Sequence, residues 1–249
     1  MPSFADLSPR RRAMFLALDR IGRWYNGFEI HGLEHIPLDR PALLVFYHGF
    51  IPLDGWYFAG TFTRRTGRVI HGLGDRFLFK TPVLERLVRA TGAVEGTREN
   101  ALALLAAGEL VGVSPGGVRE AIAPRDRHYE LFWGHRKGFA EVAVAAKVDV
   151  VCGFTENVEE LYRSPFVGAK PIQALYEATR VPIVPILGLG LLPFPVKLRT
   201  WIAPPIVFDP DRSVDALVAA CRASIEGLIQ EHQGPGPRIL RGLAERWGA

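Results

Sequence analysis

Leu43-Leu44-Val45-Phe46-Tyr47-His48-Gly49-Phe50-Ile51-Pro52-Leu53-Asp54-Gly55-Trp56 is the stretch on which the reading of this chain turns. It opens within an apolar run, residues 42–47, the mark of a strand buried on both faces. The run breaks at His48-Gly49, and Pro52 stands where a first helical position suits it. A histidine is therefore expected at the carboxyl end of an inner strand, where open α/β sheets present their ligands. Asp54 follows after five intervening residues. On one continuous helix that offset turns Asp54 by about 240° from His48. The two meet only if the chain bends between them, and Gly49 and Pro52 supply a bend. An aspartate bonded to one ring nitrogen fixes the tautomer and leaves the other nitrogen as a base. The same text also describes a loop histidine beside a helix-terminal carboxylate, and the stretch alone leaves both readings standing.

The rest of the chain bounds the choice. Its 249 residues, 48% of them apolar, suffice for one large domain or two small ones. Cys152 and Cys221 make neither a disulfide framework nor a metal-ligand spacing, which fits a reducing, cytoplasmic setting. A formal charge of +4 and a pI near 9.3 suit an anionic surface or cosubstrate, but are too diffuse to indicate nucleic acid. The first residues lack the long apolar core of a signal peptide. The most apolar window, residues 181–196, is broken by Pro182, Pro185, Gly188, Gly190, Pro193 and Pro195. It is also shorter than the ~20 residues a spanning helix needs, so no transmembrane segment is expected.

Ser8-Pro9 makes a helix start, and Met14, Leu18, Ile21 and Tyr25 recur behind it at helical spacing, with five arginines mostly around the other side. That pattern fits a helix lying in a membrane interface or one packed on the domain. His31-Gly-Leu-Glu-His35 carries the His-x-x-Glu-His spacing of one class of zinc protease, but that chemistry needs a helix. Gly32, Pro37 and the alternation of Phe28 and Ile30 predict a strand and a turn instead. Strands are expected near 69–70, 110–113, 148–154, 181–186 and 197–202. Helices are expected over 98–107, 138–147, 156–162, 171–179 and 214–230. Gly112-Val-Ser-Pro-Gly116 spells the hydrolase elbow Gly-x-Ser-x-Gly. That elbow takes an oxyanion donor from the N–H after the serine, and Pro115 has none. Ser114 is thus a strand-end residue, while Gly116 and Gly117 permit a turn whose N–H groups can cradle an oxyanion or phosphate. Together the elements predict one α/β domain, a mostly parallel or mixed sheet flanked by helices. Residues 1–26 form the N-terminal amphipathic helix, 27–233 the main domain and 234–249 a tail helix.

The pieces resemble the glycerolipid (phospholipid/glycerol) acyltransferase superfamily. The nearest branch is that of the transmembrane protein 68-like proteins and the second type of diacylglycerol acyltransferase. The matching text is Tyr47-His-Gly-Phe-Ile-Pro-Leu-Asp54, Gly96-Thr-Arg-Glu-Asn100, Ser114-Pro-Gly-Gly-Val-Arg-Glu-Ala121, Arg136-Lys-Gly-Phe139 and Phe194-Pro-Val-Lys-Leu-Arg-Thr200. The resemblance implies an O-acyltransferase that moves a fatty acyl group from acyl-CoA or acyl carrier protein to a lipid hydroxyl, with no metal or resident cofactor. It makes His48 the general base and Asp54 its orienting partner, with Arg98, Gly116, Gly117 and Arg119 binding substrate. The usual pattern spaces His and Asp by four residues; here there are five. Gly116 stands where the glycerol-phosphate acylating members carry glutamate, a departure that counts against a phosphorylated acceptor. The family's proline-rich strand block corresponds to residues 148–153 or 181–186. Neither the N-terminal helix nor the apolar segment 181–196 is long enough to span, so their pattern predicts peripheral contact with lipid on the cytoplasmic leaflet; core packing is the alternative for both, and the favoured one for 181–186.

Overall fold

A computed structural model describes residues 4–80, 82–121, 127–164, 187–190, 192–233 and 238–248. Its centre is strand β2 (Ala42–Phe46), in which Ala42, Leu43, Leu44 and Val45 are fully buried. Each large apolar side chain so removed from water contributes about 1.5–3 kcal/mol, and only a strand covered on both faces uses such a run. Strands β5 (Leu110–Val113) and β6 (Asp149–Glu156) flank it in parallel. Strands β3 (Ile70–Gly74) and β4 (Val94–Glu95) extend one side in parallel, and β7 (Arg199–Ile202) joins β6 antiparallel on the other. Strand β1 (Glu29–His31) closes that edge, parallel to β7. The seven-stranded mixed sheet runs β1-β7-β6-β2-β5-β3-β4. The chain is therefore a single α/β domain with an N-terminal helix, as its alternation of elements predicts.

The helices begin where their caps place them. In α1 (Pro9–Tyr25) the Ser8 side chain accepts from the Arg11 N–H, and in α5 (Arg98–Ala106) Thr97 accepts from Asn100 at 3.1 Å. Each such cap satisfies an otherwise orphaned donor and is worth about 1 kcal/mol. Helix α2 (Leu53–Thr66) takes Pro52 as its N-cap, not as its first helical residue. Helices α3 (Arg76–Lys80), α4 (Pro82–Ala90), α6 (Val118–Ala121), α7 (Gly138–Ala146), α8 (Val214–His232) and α9 (Ile239–Trp247) complete the described set.

Helix α1 packs on α2 through Phe15, Asp19 and Gly22, all buried. Contact is close because Gly60 of α2 has no side chain: a Cβ there would lie 2.9 Å from Asp19 N and Phe15 O. Buried Asp19 is satisfied by Arg23 at 2.6 Å, Arg64 at 2.8 Å and the Thr61 hydroxyl at 3.0 Å, as a buried charge requires. The face marked by Met14, Leu18 and Ile21 is thus not the one that seats most deeply; Ile21 and Trp24 remain exposed. No helix among the described residues is long and apolar enough to cross a membrane.

Two local expectations change. Residues 156–162 do not make an α-helix. β6 continues through Glu156, buried along its whole length between β2 and β7, and only Val158–Glu160 turn, as a 3₁₀ helix. His31 and His35 do not share a helix face: His31 lies in β1 stacked on Trp201, and His35 Nδ1 bonds the Ile202 carbonyl at 2.8 Å. The expected helix over 171–179 and strand over 181–186 lie outside the described residues.

Candidate active site

β2, β5 and β6 are adjacent and parallel, so their carboxyl ends open toward the same edge. His48 follows β2, the Ser114–Gly117 turn follows β5, and the 3₁₀ turn Val158–Glu160 follows β6. The loop after β2 touches the 3₁₀ turn directly and the glycine turn through Glu120 of the helix that follows it. Gly49 packs so closely on Val158 that a Cβ at residue 49 would lie 2.5 Å from Val158 Cγ2. The His48 N–H donates to Glu120 Oε2 at 3.2 Å, and the Tyr47 hydroxyl donates to Glu159 Oε1 at 2.6 Å.

The His48 ring is half-buried, with Nδ1 2.5 Å from the Gly49 carbonyl oxygen. A carbonyl only accepts, so Nδ1 carries the proton and Nε2 keeps its lone pair. Burial lowers the His48 pKa below its ordinary value, partly offset by its backbone hydrogen bonds, and the ring is neutral at pH 7. Asp54 is buried in the first turn of α2. Desolvation raises its pKa to about 6, opposed by the Thr155 hydroxyl and the N–H groups of Gly55 and Asp54. The expected hydrogen bond from the ring to the Asp54 carboxylate is not made here, because Nδ1 is taken by the Gly49 carbonyl. With α2 starting at Leu53, the carboxylate is carried into the helix's first turn, where free N–H groups bind it.

An acidic network underlies this loop. Tyr129 N–H donates to the Tyr47 hydroxyl at 3.1 Å, the Tyr129 hydroxyl donates to Glu160, and Glu159 N–H donates to the Tyr129 hydroxyl at 3.3 Å. Burial is the main cause of raised pKa values throughout: Glu159 reaches about 8, Glu120 about 7, and Glu160, Tyr47 and Tyr129 also rise. Glu159 is pushed further by the neighbouring charges of Glu160, Glu120 and Asp54.

The other residues singled out in the sequence are spread around the rim. Gly117 has φ +53°, the left-handed conformation that glycine adopts without strain. The Gly116 Cβ position is already occupied by the Glu120 carboxyl group. Arg98 opens α5 and pairs with Glu141 of α7 at 3.2 Å, both side chains about half exposed. Arg119 lies on α6, and its side chain is outside what the structure describes. Among the described residues no group of three or more His, Cys, Asp or Glu side chains is arranged to hold a metal.

Sequence reasoning passes over Glu120, Arg136 and Glu159. Arg136 donates from Nη1 to the carbonyls of Pro115 and Gly116, both at 3.0 Å, and so pins the glycine turn. The available signal for Arg136 and Glu120 was their membership of the blocks 136–139 and 114–121, which carried no stated function for either. Glu159 sits in no block.

Comparison with known proteins bears on the family and the fold. Residues 27–187 match the Acyltransferase family. A Gallus gallus protein named "DGAT1/2-independent enzyme synthesizing storage lipids" is 43% identical over 229 residues, 92% of this chain and 67% of that one. Its Homo sapiens namesake is 41% identical over 223 residues, 90% of this chain and 67% of the relative. An uncharacterized Mycobacterium tuberculosis protein, Rv0502, is 30% identical over 200 residues, 78% of this chain and 55% of that one. Among solved structures, the 1-acyl-sn-glycerophosphate acyltransferase PlsC from Thermotoga maritima superposes with a TM-score of 0.61 over 93% of this chain and 87% of its own. At 16% identity, that likeness concerns the fold.

Proposed function

Because the chain belongs to the Acyltransferase family, we propose that it moves a fatty acyl group from acyl-CoA to a hydroxyl of a glycerolipid acceptor, with His48 as general base. The observation that carries the reading is the Nδ1–Gly49 carbonyl bond, which leaves Nε2 unprotonated at the carboxyl edge of β2. Nε2 takes the proton of the acceptor hydroxyl as its oxygen attacks the thioester carbonyl carbon. The tetrahedral intermediate then collapses, the C–S bond breaks, and the imidazolium returns the proton to the departing thiolate. The products are an ester and a free thiol, and no covalent enzyme intermediate is required.

Asp54, with a pKa near 6, is mostly ionised at pH 7, and its charge favours the imidazolium formed during transfer. Of the two turn glycines, Gly117 leaves its backbone open to a ligand, with nothing nearer than 3.6 Å to a Cβ built there, whereas the corresponding space at Gly116 is filled by Glu120. Arg98 is available to the phosphates of coenzyme A or a lipid headgroup, because an exposed ion pair such as Arg98–Glu141 holds by only about 0–1 kcal/mol. Arg119 is assigned to the same binding surface on resemblance alone. The storage lipids in the relatives' names support a neutral acceptor.

Attachment to the cytoplasmic face of a membrane belongs to the same proposal. Trp24, Trp247, Leu187, Leu189, Leu192 and Leu240 are more than half exposed. Their segments are tied together by the Tyr25 hydroxyl on the Pro193 carbonyl at 2.6 Å and by Arg246 Nε on the Tyr25 carbonyl at 3.1 Å. Such amphipathic surfaces enter the headgroup region without crossing it.

The test uses the purified chain with palmitoyl- or oleoyl-CoA and acceptors with and without phosphate, following thiol release and lipid products. Ester formation on a neutral acceptor is expected. His48→Ala should reduce turnover by on the order of 10²–10⁴-fold, with a smaller but severe loss in Asp54→Asn. Full turnover in His48→Ala sinks the mechanism, and no thiol release with any acceptor sinks the acyl-CoA reading.

A further inference from the structure

Glu120 is the least expected occupant of the site. It is a carboxylate with 0% exposure, presented by a helix one turn long. Its two oxygens are divided between two segments: Oε2 accepts from the His48 N–H at 3.2 Å, and Oε1 accepts from the Phe132 N–H at 3.1 Å. It therefore ties the residue proposed as base to the segment following residue 127, while its own backbone N–H bonds the Gly117 carbonyl at 3.1 Å.

The space it fills has a second claimant. A Cβ built on Gly116 would lie 1.9 Å from Glu120 Cδ, 2.1 Å from Oε1 and 2.3 Å from Cγ. All three lie far inside van der Waals contact, so residue 116 cannot carry a side chain while Glu120 stays in place. This is the position where the related block writes glutamate. The glycine is thus the counterpart of a carboxyl group delivered from four residues further on.

We infer that Glu120 is a positioning residue for His48. Its carboxylate, standing in the volume that a residue-116 side chain would use, anchors the His48 backbone amide and so fixes the height of the ring above β2. The inference rests on His48 acting as the base. A gap there moves the ring against the acceptor hydroxyl, and a misplacement of about 1 Å costs on the order of 10²-fold in rate. It also gives Gly116 a steric reason that is independent of the acceptor.

The test combines kinetics with amide hydrogen exchange at His48, measured residue by residue in the whole chain. Glu120→Gln retains one carbonyl acceptor, and Glu120→Met retains the volume without any. Glu120→Met should release the His48 amide to faster exchange and lower kcat by about 10-fold or more with little change in KM; Glu120→Gln, which can satisfy only one of the two N–H donors, should fall between it and wild type. Gly116→Asp alone should be inactive through collision with Glu120. In Gly116→Asp/Glu120→Ala the new carboxyl carbon lies about 1.5 Å, one C–C bond, beyond the residue-116 Cβ. That variant should recover both exchange protection and most of kcat, which no loss of folding can mimic. Unchanged His48 exchange in Glu120→Met overturns the inference, as does faster exchange with unaltered kcat. Wild-type protein without thiol release would refute the acyltransfer reading, and exchange in the variants would then decide the anchoring by itself.

Discussion

Replacing Gly49 with alanine tests how tightly the catalytic loop is held. Gly49 is not among the residues with positive φ, so alanine is allowed by the backbone and only its methyl group is at issue. That methyl would lie 2.5 Å from Val158 Cγ2, 3.3 Å from Cγ1 and 3.4 Å from Cβ. Carbon atoms rest at about 3.5–4.0 Å, so the two side chains overlap by about 1 Å. Val158 is 2% exposed and β-branched, and the turn bearing it starts from Asn157 at φ +63°; it has no easy alternative rotamer. The His48 loop must therefore lift by about 1 Å, with an overpacking cost of about 1–3 kcal/mol and a rate loss of about 10²-fold. Val158→Ala removes both γ carbons and leaves only the ordinary 3.4 Å approach; alone it should cost about 2 kcal/mol. In Gly49→Ala/Val158→Ala, thiol release should return to within a few-fold of wild type and Tm should exceed the additive value. Full activity in Gly49→Ala, or no recovery in the double variant, refutes the idea that this contact sets the loop.

Two further expectations follow from the surrounding network. Burial raises Glu159 from 4.5 to about 8, so the folded protein keeps a proton that the unfolded chain releases, and stability falls as pH rises through that interval. Glu159→Gln should remove about 2 kcal/mol of the fall between pH 6 and 8 in denaturant titrations; an unaltered slope contradicts this origin. Arg136→Ala should free the carbonyls of Pro115 and Gly116, lowering stability by about 1 kcal/mol and kcat/KM several-fold. Arg136→Lys should restore it only in part, since an ammonium lacks the planar fork; full restoration by lysine would show that charge alone suffices.

The sheet's centre and the histidine's place were readable because each rests on a local signal. The apolar run 42–47 is too short for a core helix and is closed by Gly49, which together mark a doubly covered strand. The partner of the imidazole was not readable. Spacing shows that His48 and Asp54 could meet, but not that the Gly49 carbonyl is nearer to Nδ1, since every residue carries a carbonyl. Glu120 lies 72 positions from His48, and nothing in its neighbours announces a buried acid. Glu156 misled for the opposite reason: its helical surroundings are local, while the pairing of β6 with β2 and β7 that overrides them is not. The order β1-β7-β6 was equally hidden, because antiparallel entry of β7 leaves no periodicity of its own.

That edge of the sheet sets a timetable for the growing polypeptide. Glu29 of β1 pairs with Arg199 of β7, and among the described residues β1 has no other strand beside it. As the chain emerges from the ribosome, the strands from β2 to β6 can assemble while β1 waits for most of the remaining sequence. Phe28 can pack on Tyr57 of α2 beforehand, but β1 has no strand to pair with until then, and the border of β6 that β7 covers stays open. Contacts so distant in sequence form slowly and leave open strand edges exposed to neighbours. Chains halted before residue 199 should consequently be a sticky population, and chaperone demand during synthesis should peak just before β7 arrives.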